Sequence, residues 1–201
     1  MIGSYENKKE QIKKASINVF ARYGYHKTTL EDIANQLGIK KNSLYYYFRN
    51  KEAIFNEIIV EEAAKFIGAL DTEIKKQKTT EKKLKVVISK IIYYAKERSN
   101  LLTMPLKVFI EIGELIDNSH KEFRESVRDI IEKVLKEGIK SGELKKHNSQ
   151  ELALNIFLFM DALQFKEFHS NQITSFEEID LPLIEKRVLS TINFILQGIK
   201  V

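Results

Sequence analysis

The stretch from Thr28 to Lys51 constrains the chain most, because it encodes two short helices separated by a tight turn. Thr28 and Glu31 have the spacing of a capping box, in which a hydroxyl and a carboxylate satisfy two free amides at a helix start. Three apolar residues then share one helical face: Ile33, Ala34 and Leu37. Gly38 supplies the left-handed residue that ends this helix.

The second helix of the stretch has one buried side, formed by Leu44 and Phe48 four residues apart. Its other side is polar and aromatic, and a short helix with an inner anchor and outer donors suits a DNA major groove. Lysine pairs with guanine O6 and N7, asparagine with adenine N6 and N7, and an aromatic ring with the thymine methyl. The candidates for base contacts are therefore Lys40, Lys41, Asn42, Ser43 and Tyr46.

The charge distribution agrees with this interpretation. Residues 1–55 contain ten Lys and Arg and five Asp and Glu, whereas residues 56–201 contain 23 of each. All of the excess positive charge therefore lies on the segment with the helix-turn-helix pattern, which indicates a phosphate-binding surface. A lysine-rich surface that is only solvated is the alternative.

Composition excludes several classes of protein. The chain has no cysteine, and its four histidines are scattered without metal-binding spacing. It contains neither a glycine-rich phosphate loop nor a nucleophile elbow. We therefore expect no metal, no cofactor and no catalytic residues. The polar N-terminus is not a signal peptide, and the apolar runs are too short to span a bilayer, so we expect a soluble cytoplasmic protein.

Helical periodicity continues to the end of the chain and predicts an all-α fold of about nine helices. The predicted helices lie near residues 6–23, 28–37, 41–48, 51–76, 81–98, 104–116, 119–140, 148–169 and 180–198. Asn50, Asn148 and Asp180 are the expected starts of the helices that follow them, and Gly24 and Gly142 are expected to end the helices before them. We expect a three-helix DNA-binding head over residues 1–50 and a larger helical body over residues 51–201. The long helix over residues 51–76 would link the two.

The first 55 residues resemble the N-terminal signature of the tetracycline-repressor (TetR) family of bacterial transcription regulators. The matching residues are Thr28-Thr29, Ile33-Ala34, Leu37-Gly38-Ile39, Leu44-Tyr45, Phe48 and Lys51-Glu52. The resemblance implies that Tyr45 and Lys51 touch the DNA backbone. Thr28 or Thr29 is placed to donate to a phosphate near the start of its helix. Many members have a small residue where this chain has Asn42, so their operator preference does not transfer.

The helix over residues 152–168 is apolar on every face, which in a small protein indicates a partner on its far side. The resemblance implies a homodimer formed by this helix and the last one, with interface candidates Ile156, Met160, Val188, Ile192 and Ile195. The alternative is the core helix of a monomeric bundle.

The resemblance also implies a small-molecule pocket in the body, and mixed aromatic, aliphatic and polar side chains fit such a site. The candidates are Tyr93, Met104, Phe109, Glu111, Phe157, Asp161, Gln164, Phe165 and His169. Plain core packing is the alternative for each of them.

These patterns together predict a sequence-specific DNA-binding regulator, most simply a repressor released from a palindromic operator by a small apolar effector. A two-fold dimer would place its reading helices about 34–36 Å apart, or a multiple of that distance. Two alternatives stay open: a regulator controlled by a protein partner, and a helical carrier of an apolar molecule that does not bind DNA.

Overall fold

The computed structural model describes residues 2–102, 106, 117–169 and 173–201. In these ranges the chain forms eight α-helices: α1 Ile2–Tyr23, α2 Leu30–Leu37, α3 Lys41–Tyr45, α4 Lys51–Lys75, α5 Thr80–Leu102, α6 Asp117–Lys140, α7 Ser149–Phe168 and α8 Leu181–Ile199. The same ranges contain no β-strand beyond one isolated antiparallel bridge between Leu144 and Lys200. The all-α prediction is therefore confirmed. The helix predicted over residues 104–116 falls almost entirely outside the described residues.

Local signals set most of the helix ends. Asn50, Asn148 and Asp180 cap α4, α7 and α8, because the side-chain oxygen of each accepts a backbone N–H three residues on, at 2.8, 3.2 and 2.9 Å. The glycines predicted to end or follow helices adopt positive φ, as only glycine does without strain: Gly24, Gly38 and Gly142. Each of these ends was predicted from the sequence.

Two apolar clusters hold the helices together. The first, the head cluster, runs from Ile12 to Ile58 and joins α1, α2, α3 and the first turns of α4. The second, the body cluster, runs from Leu70 to Leu196 and joins the end of α4 to the remaining helices. Helix α4 therefore belongs to both clusters, and the head cluster extends past residue 50, where we had expected the domain boundary.

Helices α7 and α8 turn one side to the body cluster and leave the other side open. Ile156, Met160, Val188 and Ile192 are buried in this cluster and Ile195 is half-buried. The prediction that the first four contact a second subunit is wrong, because a partner cannot reach them. Helix α7 is apolar all round and gives no periodicity from which to choose between its sides, whereas α8 has one periodic apolar side and that side packs inward.

The open side of these helices, which we call the outer face, carries large exposed apolar side chains. They are Leu154, Leu158, Phe159 and Phe165 on α7 and Leu183 and Phe194 on α8. Leu154, Leu158 and Phe165 lie along one stripe, because they are four and seven residues apart. None of the helices in the described ranges has the length and apolarity needed to cross a membrane.

Candidate nucleic-acid interface

Helix α2 begins with a capping box one residue later than predicted. The Thr29 hydroxyl oxygen accepts from the Asp32 backbone N–H at 3.2 Å, and the Asp32 carboxylate accepts from the Thr29 backbone N–H at 2.8 Å. The pKa of Asp32 lies below its usual range, chiefly because the Thr29 hydroxyl donates to its carboxylate and secondly because the Thr29 backbone N–H does. The box is therefore formed by an ionised carboxylate at the positive end of α2.

Thr28 has a different role from the one predicted. Its side chain is buried, and its hydroxyl donates to the Gly24 carbonyl at 2.8 Å, so it cannot reach a phosphate. Thr29, by contrast, is exposed at the start of α2. Two adjacent threonines have the same chemistry, and only the packing of the connector shows which one faces inward.

Helix α3 has the predicted anchor. Leu44 is fully buried and Phe48 is 4% exposed, although α3 itself ends at Tyr45 and Phe48 lies in the following turn. Around this anchor is a set of exposed side chains that we call the reading surface: Lys40, Lys41, Asn42, Ser43, Tyr45 and Tyr46. All five residues predicted to contact bases, and Tyr45 with them, are therefore exposed, and their contacts with DNA stay a prediction.

Tyr5 supports one end of the reading surface, and sequence reasoning missed it. Its ring centroid lies 4.9 Å from that of Tyr47 and 5.7 Å from that of Tyr46, which it meets edge to face. Tyr46 and Tyr47 also meet edge to face at 5.1 Å. The contact became possible because α1 begins at Ile2 rather than near residue 6, and no local pattern around Tyr5 indicates it.

Lys51 serves the connector between α1 and α2 and not an exposed surface. Its Nζ atom donates to the carbonyls of Tyr25, His26 and Thr28 at 2.9, 3.1 and 3.0 Å. An ammonium group has three protons, so these bonds use all of its donors. The predicted phosphate contact is therefore not available to Lys51 in this structure, and the residue instead positions the start of α2.

Other cations of the head are also engaged inside the chain. Lys9 lies 2.8 Å from Glu57, and the buried Lys13 contacts Glu10, Glu57 and Glu61. The pairs with Glu57 and Glu61 join α1 to α4, whereas Glu10 lies on α1 itself. The excess positive charge of residues 1–55 therefore overstates the number of lysines that are free to contact phosphates.

The predicted pocket residues in the described part of the chain have different surroundings. Phe165 is 61% exposed and stacks on His169 with ring centroids 3.9 Å apart, so both belong to the outside of α7 and their prediction as pocket residues is wrong. Phe157 packs in the body cluster, and Asp161 is half-buried. Phe157 and Phe165 are eight residues apart and therefore lie on nearly the same side of α7, so their spacing could not show that only Phe157 is covered.

Two polar candidates have partners within the protein. Gln164 donates to the Ile92 carbonyl at 3.2 Å, and the Tyr93 hydroxyl donates to Glu185 at 3.3 Å. Burial, followed by the nearby Glu185 charge, raises the pKa of Tyr93. Both side chains therefore link helices of the body. Three further candidates lie outside the described residues: Met104, Phe109 and Glu111.

Comparison with known proteins gives the same division of the chain. A family model for bacterial regulatory proteins of the tetR family matches residues 12–58, which are also the limits of the head cluster. The fatty acid metabolism regulator protein of Bacillus subtilis (strain 168) is 32% identical over 143 residues, or 71% of this chain and 74% of that protein.

Two solved structures resemble the chain over nearly its whole length. The transcriptional regulator FadR from Bacillus subtilis, in complex with stearoyl-CoA, is 25% identical, with a TM-score of 0.59 over 90% of this chain and 95% of that one. A transcriptional regulator from Cytophaga hutchinsonii ATCC 33406 is 25% identical, with a TM-score of 0.69 over 96% of this chain and 99% of that one. The similarity therefore includes the body as well as the head.

Proposed function

Because this chain belongs to the tetR family of bacterial regulatory proteins and is a DNA-binding transcriptional regulator, we propose that it is a repressor that reads a palindromic operator with α3. The observation that carries this proposal is the reading surface, six exposed polar and aromatic side chains above the buried Leu44 and Phe48. An anchored helix of this kind fits a major groove and presents its side chains to base edges.

Individual roles follow from side-chain chemistry. Asn42 suits adenine N6 and N7, Lys40 and Lys41 suit guanine O6 and N7, and Tyr46 suits the thymine methyl. Ser43 is a hydroxyl donor to either kind of edge, and Tyr45 faces the DNA backbone. Thr29 marks the exposed start of α2, where a phosphate would meet the positive end of the helix.

The outer face supports the proposal of a homodimer. Single exposed apolar side chains are common on protein surfaces, but a contiguous exposed stripe of large ones is typical of a protein–protein interface. Leu158 is 51% exposed and Phe194 is 77% exposed. We expect Leu158→Glu to shift the protein towards monomer in sedimentation equilibrium. The control Thr72→Glu, at an exposed polar residue of α4 and not of α7 or α8, should leave the dimer intact.

An effector with a long apolar chain is the second part of the proposal. The Bacillus subtilis FadR structure contains stearoyl-CoA, and we propose an acyl-CoA or a related acyl compound as the effector of this chain. Such a ligand releases the operator only as far as it binds the DNA-incompetent state more tightly than the DNA-competent one. Its expected effect is therefore a loss of operator affinity that saturates with ligand concentration.

The test is a titration of labelled DNA from upstream of the gene with purified protein, at several salt concentrations. Tight binding to one sequence as a dimer, with a steep salt dependence, supports the regulator. Release by stearoyl-CoA supports the effector, whereas release only by another protein would support the alternative of a partner-controlled regulator. Weak binding that is equal on all sequences would contradict operator recognition and turn attention to the carrier alternative.

A further inference from the structure

Arg98 of α5 is a buried cation with an unused donor. Its side chain is 7% exposed, and Nη1 donates to the Glu62 carboxylate of α4 at 2.7 Å. Nη2 is buried and has no hydrogen-bond partner in the described part of the chain. A buried donor without a partner costs about 1–3 kcal/mol, and more when it carries charge. The nitrogen is therefore placed to receive an acceptor that is not part of these helices.

An aromatic wall lies beside this nitrogen. The Arg98 guanidinium carbon is 5.7 Å from the centroid of Tyr94, one turn earlier on α5. The Tyr94 ring stacks on Phe123 of α6 at 4.6 Å and meets Phe66 of α4 at 4.3 Å. Burial raises the pKa of Tyr94, so its phenol is neutral at physiological pH. The surroundings thus combine one fixed positive charge with three rings from three helices.

We propose that Arg98 binds the anionic head of an apolar effector, with Nη2 donating to a carboxylate or phosphate oxygen. Phe66, Tyr94 and Phe123 would contact the apolar chain next to that head. This site rests on the proposed function, because it specifies the chemistry of the effector that controls operator binding. A guanidinium suits both kinds of head, since its planar donors match carboxylate and phosphate oxygens.

The same geometry couples the site to the DNA-binding head. Burial alone would raise the pKa of Glu62, but a hydrogen bond from Lys65 and the charge of Arg98 outweigh it and lower the pKa, so Glu62 is ionised. A ligand anion at Arg98 therefore brings a second negative charge beside Glu62. Repulsion between them weakens the link from Glu62 to Arg98, which ties α4 to α5. Helix α4 also carries residues of the head cluster, so this link constrains the head.

Two substitutions at the link make opposite predictions. Arg98→Gln removes the anchor and should weaken binding of an anionic probe by at least about tenfold, the loss expected for a hydrogen bond to a charged group. Glu62→Gln removes the competing carboxylate and should strengthen binding of the same probe several-fold. A purely structural arginine would give losses in both variants, because each breaks the same ion pair.

The experiment measures calorimetric binding of stearate, stearoyl-CoA and stearyl alcohol to the full-length protein and both variants, below the critical micelle concentration. We expect Arg98→Gln to weaken binding of at least one anionic probe and to leave the uncharged alcohol unaffected. A response to stearate alone identifies a carboxylate head, and a response to stearoyl-CoA alone identifies a phosphate head. Unchanged anion binding in Arg98→Gln, equal losses in both variants, or no binding of any anionic probe to the unsubstituted protein overturns the site.

Operator affinity without ligand separates this inference from the proposed function. If the unsubstituted protein binds its operator but the variants show none of the expected shifts, only the Arg98 site fails. If no operator binding occurs, the proposed function fails as well. Should Arg98→Gln not fold, as judged by its circular dichroism, the gain predicted for Glu62→Gln and a smaller loss in Arg98→Lys keep the test decisive.

Discussion

The role of Lys51 leads to a prediction that separates two effects of a lysine on DNA binding. Lys51→Met removes the ammonium group but keeps the unbranched stem. Three carbonyls lose their donor, of which that of His26 is exposed and regains water, while those of Tyr25 and Thr28 are partly buried. A hydrogen bond to a charged group contributes about 1.5–3 kcal/mol, and these bonds share one ammonium. We therefore expect a loss of about 2–4 kcal/mol of unfolding free energy.

The effect on DNA binding should then be indirect. With the start of α2 less firmly held, affinity should fall on all sequences. The slope of log K against log salt should stay the same, because no phosphate contact is lost. A lysine that does contact a phosphate contributes about 0.9 to that slope. Urea unfolding at fixed protein concentration and DNA titration across salt measure the two quantities separately.

Lys41→Met is the matched control, because the Lys41 side chain is 43% exposed on the reading surface and only approaches Glu31, at 4.0 Å. Its charge would lie in the DNA groove near the phosphates, so its loss should make the salt slope shallower, by at most the about 0.9 of a direct phosphate contact, and leave the urea midpoint unchanged. Our reasoning would be refuted if Lys51→Met behaved like this control, with a shallower slope and full stability. That result would mean that Lys51 leaves the connector carbonyls and binds a phosphate in the complex.

Three further predictions concern other parts of the structure. A methyl group at Gly138 would lie 2.5 Å from the Thr80 hydroxyl oxygen, so Gly138→Ala should cost about 1–3 kcal/mol of unfolding free energy. At the control position Gly68 nothing lies within 4 Å, so Gly68→Ala should be neutral or stabilising by up to about 1 kcal/mol. Equal urea midpoints for the two variants would contradict this prediction. The fold lowers the pKa of Asp32 from 3.8, so its carboxylate contributes fully to stability above that pH, and the contribution is lost as pH falls through the pKa of the folded state. The difference in melting temperature between the unsubstituted protein and Asp32→Asn should therefore close below pH 3.8 and not above it. Asn42→Ala should relax the base preference at one operator position by about 1–3 kcal/mol in a competition assay, and an unchanged preference would remove Asn42 from the reading surface.

The sequence predicted the features that depend on neighbouring residues. The caps at Asn50, Asn148 and Asp180 and the left-handed Gly38 each involve residues within one turn, so their patterns are complete in the sequence. The buried Leu44 follows in the same way from its spacing with the next apolar residue. Local chemistry therefore accounts for most of the helix boundaries and for the reading surface.

The features that the sequence did not predict join distant parts of the chain. Lys51 meets carbonyls 23 to 26 residues earlier, before both α2 and α3, and Tyr5 meets rings more than forty residues later. The inner and outer sides of α7 are both apolar, so the distinction between Met160 and Leu158 depends on what packs against each. Nothing in the sequence around Arg98 indicates that its side chain is buried. Each of these depends on the tertiary arrangement, which residue spacing does not contain.

Helix α4 has a mechanical consequence because each end belongs to a different cluster. Ile54 is in the head cluster and Leu70 is in the body cluster, and at 1.5 Å per residue they are about 24 Å apart along the axis. A tilt of about 10° around Leu70 would carry the head end sideways by about 4 Å. In a two-fold dimer both lever arms move, which changes the distance between the two reading helices by up to about 8 Å against a repeat of about 34–36 Å. Hydrogen bonds to base edges tolerate only a few tenths of an ångström, so a small rotation within the body is enough to make one half-site inaccessible.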